Sequence, residues 1–137
     1  MPDTIRTVDY FYLEVPDEPG ALAPVLSRLK EAKVNLLSFT AFPSRAGKSQ
    51  VDLVPESSGA LTKAAQAAGL SLSGKKRAFF VQGTDRPGVV TEIHRKLADA
   101  GINVTAANGC VAPNGSFGMI LWVKPDKFDA AAKTLGV

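Results

Sequence analysis

Two short turns of similar sequence carry the residue types best suited to hold a small anion. They read VPDEPGAL, which ends at Leu22, and GTDRPGVV, which ends at Val90. Each turn joins an apolar segment to a stretch with helical spacing, and a helix N-terminus exposes about four backbone N–H groups. Glycine there lets a ligand approach the backbone, so the turns favour a carboxylate or phosphate. An ordinary strand-to-helix turn, capped by Asp17 or Asp85, is the alternative.

An asparagine follows each turn at the same distance. Asn35 lies 15 residues after Gly20, and Asn103 lies 15 residues after Gly88. Asparagine is uncommon in strands, yet each of these stands at the predicted start of one. Its amide both donates and accepts hydrogen bonds, which suits a binding site. The alternative is a simple turn residue between helix and strand. Because the Pro-Gly pair and the asparagine recur at the same spacing, the two interpretations stand about equal.

Other reactive side chains are few and lie apart in the sequence. His94 is the only histidine, and we expect it half-buried on the border of a helix stripe. Cys110 is the only cysteine, which excludes an internal disulfide and suits a reducing cytoplasm. No nucleophile–base pair, zinc-ligand set or nucleotide-binding glycine motif is evident. The sequence therefore predicts a cytoplasmic protein that is not an enzyme and holds neither a metal nor a cofactor.

The two turns belong to an internal repeat. The segment from Asp9 aligns without gaps with the segment from Arg77, at an offset of 68 residues. Seven positions are identical, and these are Phe11/Phe79, Asp17/Asp85, Pro19/Pro87, Gly20/Gly88, Leu29/Leu97, Ala32/Ala100 and Asn35/Asn103. Chance does not place the same turn and the same asparagine in register with the apolar positions. The chain therefore contains two copies of one structural unit.

Each copy is predicted to have the element order β-α-β-β-α-β. Aromatic and β-branched runs predict strands, and apolar residues at helical spacing predict a helix after each turn. Strands are expected at Tyr10–Val15, from Val34, at Gln50–Val54 and at Leu70–Leu72, and in the second copy at Ala78–Gln82, from Ile102 and at Phe117–Val123. Second helices are expected to start near Ser57 or Ser58 and near Pro125-Asp126, and to end at Gly69 and Gly136.

This order predicts an α+β fold class, with two ferredoxin-like repeats over residues 1–74 and 75–137. Each repeat is an antiparallel sheet with its helices on one face. The second repeat lacks its last strand, because only Val137 follows the helix cap at Gly136. Its first strand, Ala78–Gln82, is then expected to have an open edge, which invites a partner.

The same repeat is expected to show an apolar patch on the sheet face away from its helices. Phe80, Ile120 and Trp122 would form this patch, and a patch of that size usually marks a contact. The edge and the patch together predict a homodimer. Two alternatives cover them within one chain: Thr4–Val8 adds as a strand, or the first copy packs there.

The duplicated Asp-x-Pro-Gly turn, the helix after it and the later Val/Ile-Asn-Leu/Val resemble the ACT domain, a small regulatory module that binds amino acids. The resemblance covers nearly the whole chain twice, from about Asp9 to Leu72 and from Lys76 to Val137. It implies paired domains with an amino acid bound at their interface, between the turn and the second strand. The implied ligand-binding residues are Asp17, Glu18, Pro19, Gly20, Ala21, Leu22 and Asn35, and Asp85, Arg86, Pro87, Gly88, Val89, Val90 and Asn103.

The predicted function is therefore a non-catalytic regulatory module that binds a small amino acid and signals to a partner enzyme or regulator. The alternative is a ligand-free regulatory subunit that docks on an amino-acid biosynthetic enzyme, and a third possibility is a small enzyme on the same scaffold. The second turn is expected to be the better carboxylate site. It carries Asp85 with Arg86, whereas Asp17 and Glu18 of the first turn repel a carboxylate.

Charge and hydropathy exclude two classes of partner. The chain has 16 Lys and Arg against 13 Asp and Glu, a net charge of +3. The one dense basic run is Lys75–Arg77, so nothing indicates a nucleic-acid partner. No apolar stretch approaches the roughly 20 residues of a membrane span, and no signal peptide is expected at the start.

Overall fold

The computed structural model describes residues 3–137, which form six strands, four α-helices and one short 3₁₀-helix. In chain order these are β1 (Thr4–Pro16), α1 (Ala23–Glu31), β2 (Leu36–Arg45), β3 (Lys48–Pro55), α2 (Ser58–Ala68), β4 (Lys76–Thr84), α3 (Thr91–Asp99), β5 (Ala106–Val111), β6 (Ser116–Trp122), the 3₁₀-helix (Pro125–Lys127) and α4 (Phe128–Leu135). The fold class is α+β with antiparallel strand pairs, as predicted. Among the helices of the described chain, none is long and apolar enough to cross a membrane.

The chain divides into two compact units. One unit is Asp9–Lys76, and the other combines residues 3–8 with residues 77–137. The long strand β1 therefore contributes its first residues to the second unit and the rest to the first. The sequence predicts a boundary between the repeats at residues 74 and 75. The two units divide two residues later, between residues 76 and 77.

The Asp9–Lys76 unit is built on the strand order β2-β3-β1. Alternate residues of β1 point to opposite faces, and Phe11, Leu13 and Val15 are buried on one of them. They pack with Val25 and Leu29 of α1, which are four residues apart and so share one helix face. Val51, Leu53 and Leu61 complete this core. The helices thus cover one face of the sheet, as predicted.

The predicted fourth strand of this repeat, Leu70–Leu72, does not form a regular strand. The segment nevertheless lies beside β1, because Ser73 N–H donates to the Tyr12 carbonyl at 2.8 Å. Tyr12 N–H in turn donates to the Ser73 hydroxyl oxygen at 2.9 Å. The Ser73 hydroxyl oxygen thus accepts the hydrogen bond that a backbone carbonyl would accept in a regular strand pair. Leu70 and Leu72 still pack against the core, which is why their alternation looked like a strand.

The second unit completes its sheet with residues from the start of the chain. Its strand order is β1-β4-β6-β5, with β1 hydrogen-bonded to β4, and the β1 residues that belong to this unit are 4–8. Ile5 packs against the core of the unit, which includes Phe79, Leu97 and Leu121. The predicted open edge on the first strand of this repeat is therefore wrong. The addition of Thr4–Val8 as a strand, weighed above as an alternative, is what the structure shows.

The expected exposed apolar patch is also wrong. Phe80, Ile120 and Trp122 are only 8%, 3% and 8% exposed within the single chain. The guanidinium carbon of Arg6 lies 5.3 Å from the Phe80 ring centroid, within the range of a cation–π contact. Since these side chains are already covered in one chain, the patch does not require a second chain to bury it.

Candidate functional site at the two turns

The first turn, Asp17–Leu22, is fixed to the β2–β3 hairpin. Asp17 N–H donates to the Gly47 carbonyl at 3.0 Å, and the Asp17 carboxylate accepts from the Ser49 hydroxyl at 3.0 Å. Asp17 thus does not cap α1, for which no side-chain cap exists. Its role is to tie the turn to the neighbouring hairpin, which positions the backbone of the turn.

The glycine of the first turn adopts a conformation that other residues avoid. Gly20 has φ +82°, and no heavy atom lies within 4 Å of the place where its Cβ would be. Ala21 N–H donates to the Glu18 carbonyl at 3.3 Å. By contrast, the N–H groups of Gly20 and Leu22 have no acceptor within residues 3–137. Two donors at this turn are therefore available to a ligand.

Both helices start later than the sequence predicted. The Pro-Gly turns were expected to open them, but α1 begins at Ala23 and α3 at Thr91, three residues after each glycine. Pro24 lies in the first turn of α1, where its missing N–H costs no hydrogen bond. Each Pro-Gly pair therefore belongs to a turn that leads into the helix, and its free N–H groups lie just ahead of the helix.

A cavity of about 280 Å³ opens beside the first turn. Its lining is mainly apolar and includes two acidic residues; it consists of Val15, Pro16, Asp17, Glu18, Leu22, Ala41, Phe42, Pro43 and Ser49. Phe42 is 40% exposed, which is unusual for a large aromatic ring. Three of the six predicted turn residues line this cavity. The hairpin residues were missed because nothing in the local sequence links that hairpin to the turn.

The second turn repeats the backbone pattern of the first. Asp85 N–H donates to the Gly115 carbonyl at 2.9 Å, and Val89 N–H donates to the Arg86 carbonyl at 3.1 Å. Gly88 has φ +75°. Its N–H group and that of Val90 find no acceptor in the part of the chain that the structure describes. The two turns thus share a pair of unbonded backbone donors, one at the glycine and one two residues later.

The side chains of the second turn differ from those of the first in one ion pair. Arg86 contacts both carboxylate oxygens of Asp3, with Nη1–Oδ1 at 3.2 Å and Nη2–Oδ2 at 3.1 Å. Nη1 also donates to the Thr84 carbonyl at 3.0 Å. The hydrogen bond to Asp3 raises the pKa of Arg86 above its usual value. The guanidinium that was expected to attract a ligand carboxylate is therefore occupied by a carboxylate of the chain itself.

The two asparagines lie just ahead of strands, not within them. Asn35 immediately precedes β2, and its side-chain N–H donates to a Glu56 oxygen at 2.8 Å. Glu56 N–H donates to the Asn35 carbonyl at 2.9 Å, so the two residues are joined twice. Asn103 is exposed and lies three residues before β5. The expectation that each asparagine begins a strand is thus off by one to three residues.

Asn35 lines a different cavity from the turn residues. This second cavity, about 490 Å³, lies at the C-terminal end of α1 and is lined by Leu26, Leu29, Lys30, Lys33, Val34, Asn35 and Leu36. Within the Asp9–Lys76 unit, the structure therefore does not bring Asn35 together with Asp17 and Glu18. The repeat spacing that grouped them reflects their places at opposite ends of the same helix.

One buried acidic residue, Asp52, was not predicted from the sequence. Asp52 in β3 is 7% exposed and accepts a hydrogen bond from the Gln50 side chain at 2.9 Å. Burial raises the pKa of Asp52, and burial is also the main reason why the pKa of nearby Tyr10 is raised. Asp52 alternates with the buried Val51 and Leu53, a pattern that normally places a polar residue in solvent. Only the three-dimensional packing shows otherwise.

The remaining titratable candidates do not form a reactive group. The Nδ1 of His94 lies 2.7 Å from the Val90 carbonyl, to which it donates, and the side chain is half-buried. Cys110 is exposed on β5. Across residues 3–137 there is no cluster of three His, Cys, Asp or Glu side chains that could hold a metal ion.

Comparison with known proteins identifies the fold. No protein-family model and no curated protein matches the sequence. A solved protein from Bacteroides thetaiotaomicron matches with a TM-score of 0.80 at 14% identity, over 96% of this chain and 88% of that one. The ligand-free regulatory subunit of aspartate kinase from Thermus thermophilus matches with a TM-score of 0.63 at 15% identity, over 98% and 94% of the two chains.

A third match, the regulatory subunit of aspartate kinase from Thermus flavus, has a TM-score of 0.60 at 16% identity, over 99% of this chain and 95% of that one. The chain therefore has the fold of ACT-type regulatory domains, and the predicted resemblance is confirmed at the level of the fold.

Proposed function

We propose that this chain is a non-catalytic regulatory module that binds a small amino acid at its Pro-Gly turns. The observation that carries the proposal is the first turn. This turn has two free backbone N–H groups and a positive-φ glycine, and three of its residues line a mainly apolar cavity of about 280 Å³. An amino acid needs donors for its carboxylate, an acceptor for its ammonium group and room for its side chain.

The first turn and the cavity beside it supply each of these three features. The N–H groups of Gly20 and Leu22 are donors for a carboxylate. Asp17 and Glu18 are acceptors for an ammonium group, and Phe42 and Leu22 offer apolar contact to a side chain. The two carboxylates disfavour a ligand that is only an anion, and they favour one that carries an amine as well. The second turn offers two such donors as well, but the cavity that its residue Val90 lines, together with Thr91, His94, Arg95 and Ala98, contains no carboxylate.

The fold comparison supports a regulatory role, because two of the matched structures are regulatory subunits of aspartate kinase. On this proposal the chain acts on a partner enzyme or regulator, as its sequence predicts. A ligand-free subunit that only docks on a biosynthetic enzyme remains the second candidate, and it predicts that no amino acid binds.

A thermal-shift screen of the twenty amino acids tests the proposal. We expect one or a few of them to raise Tm, and isothermal titration should then give saturable binding. Compounds that retain only the carboxylate or only the amine of the active amino acid serve as controls, and both should bind more weakly. If no amino acid raises Tm while the protein co-purifies with an enzyme, the ligand-free subunit is the correct function.

A further inference from the structure

The surroundings of Arg86 form a site that fits a carboxylate. We propose that Gly83 and Arg86 form a carboxylate-binding site, which the chain fills with its own Asp3, and that a ligand carboxylate competes with Asp3 for it. The first half of this proposal stands on geometry alone. The second half rests on the proposed amino-acid function.

The ion pair has the geometry of carboxylate recognition. Arg86 donates from Nη1 and Nη2 to the two different oxygens of Asp3, at 3.2 and 3.1 Å. Such bidentate ion pairs are stronger than a pair with a single hydrogen bond, and they fix the orientation of the carboxylate more specifically. The Thr84 carbonyl accepts from Nη1 at 3.0 Å and holds the guanidinium in place. The backbone two residues before Arg86 therefore orients its guanidinium group.

The Asp3 carboxylate also fits a space that only glycine leaves open. A Cβ added at Gly83 would collide with Oδ1 of Asp3. The Asp3 side chain is 12% exposed, whereas the side chain of Arg86 is 43% exposed. By comparison, Asp129 in its single contact with Arg77 is 90% exposed. Asp3 is thus seated in a cradle, while Asp129 lies on the surface.

This arrangement makes Asp3 an intramolecular competitor. A tethered group has a high effective concentration, so an external carboxylate must displace it to reach Arg86. Asp85 and Glu92 also attract Arg86, but their effect is weaker than that of the hydrogen bond that Arg86 donates to Asp3. The second turn is then a carboxylate site that the chain's own Asp3 already occupies. Arg86 gives this turn a positive charge that the first turn lacks, and Asp3 pairs with that charge.

Chemical rescue tests the site with acetate, which is the side-chain group of Asp3 as a free molecule. Asp3→Ala should lower Tm, and acetate should raise it again in this variant but not in the wild type. For a dissociation constant of about 10 mM, ~100 mM acetate should raise Tm by about 4 °C. Sodium chloride at equal ionic strength controls for screening. Asp129→Ala, whose partner Arg77 lies on the surface, is the matched control and should show no rescue.

Two further variants locate the rescue. Asp3→Ala combined with Arg86→Gln removes the guanidinium, and Asp3→Ala combined with Gly83→Ala fills the cradle with a methyl group. Both should lose the response to acetate. A response that persists in either variant, or that is equal in the wild type and Asp3→Ala, overturns the site.

A second measurement covers the case in which Asp3→Ala does not fold. Asp3→Asn keeps the shape of the side chain and removes its charge, so it should be displaced more easily than Asp3. Following the Gly83 amide by NMR during an acetate titration, we expect at least fivefold tighter binding to Asp3→Asn than to the wild type. Equal or weaker binding to Asp3→Asn contradicts the proposal.

The competition is tested with the amino acid that raises Tm of the wild type in the screen. Its affinity for the second turn should rise at least fivefold in Asp3→Ala. Rescue by acetate with no gain for that amino acid overturns the competition. Rescue by acetate when no amino acid binds either protein shows instead that the proposed function has failed while the carboxylate site stands.

Discussion

Lys33 and Gly101 occupy the same position of the two repeats, and both adopt a left-handed backbone conformation. Their φ angles are 58° and 72°. Each follows the end of the first helix of its repeat, where the next residue donates back to a leucine carbonyl: Val34 to Leu29 and Ile102 to Leu97, both at 2.9 Å. This helix ending normally uses glycine, because a Cβ makes the left-handed conformation unfavourable.

Lys33→Gly should therefore stabilise the chain by about 1 kcal/mol, since the strain at that position is relieved. The matched exchange, Gly101→Lys, should destabilise the chain by a similar amount. Urea denaturation of both variants measures the two effects. If Lys33→Gly is destabilising, the lysine makes a favourable contact that outweighs its backbone strain.

The buried carboxylate of Asp52 predicts a pH dependence. Burial raises its pKa in the folded protein, so the folded state holds the proton more tightly than the unfolded state does. Its contribution to stability is then largest below the usual aspartate pKa and is lost as the pH rises through the raised value. Asp52→Asn should raise Tm by about 2–5 °C at pH 7.

The gain from Asp52→Asn should shrink as the pH falls below the raised pKa of Asp52, because the wild-type carboxyl is then protonated. Thermal unfolding from pH 3 to 8 measures this difference. Asp129→Asn, at an exposed carboxylate, is the control. A gain that stays constant across this range would show that the charge of Asp52 has no part in it.

Binding at the first turn is tested by glycine replacement. Gly20→Leu adds a side chain where nothing lies within 4 Å, and it strains a residue at φ +82°. We expect at least tenfold weaker binding of the amino acid found in the screen, with the fold retained. Gly69→Leu is the matched control, because Gly69 has φ +69° and an equally open Cβ position at the end of α2. Equal losses of affinity in both variants would show a general effect of strain.

The sequence predicts local features of this fold well, for a physical reason. Helix stripes such as Val25 and Leu29, and the strand alternation of Phe11 and Leu13, follow from burial on one face and repeat in both copies. The turns are marked by Pro and Gly, whose backbone preferences are intrinsic. These features require only neighbours in the chain.

The features that were missed depend on residues far apart in the chain. The pairing of β1 with β4 closes an edge that seemed open, and Asp3 lies outside the repeat, so the alignment gave it no partner. The burial of Asp52 likewise depends on what covers its strand. The sequence predicts the two Pro-Gly turns as the candidate site, but it could not show that the hairpin residues Phe42 and Ser49 line the cavity beside the first turn.

The homodimer stays a prediction, but its cause changes. With β4 paired and the apolar patch buried, the outer strands of the two units are β2 and β5. The β2 strand contains Pro43 and Arg45 and two register shifts, which protect an edge. All six residues of β5 are exposed, none is charged or a proline, and its register with β6 is continuous. We therefore expect a second copy to pair along β5.

Placing lysines on β5 tests this contact, because charged side chains on an edge strand block its extension. Light scattering at micromolar concentration should give twice the 14.4 kDa chain mass for the wild type and one chain mass for Ala107→Lys with Val111→Lys. Thr40→Lys on β2 is the control and should leave the dimer intact. A wild-type mass of one chain ends the dimer prediction. A dimer that tolerates both β5 lysines but is lost in Thr40→Lys places the contact on β2.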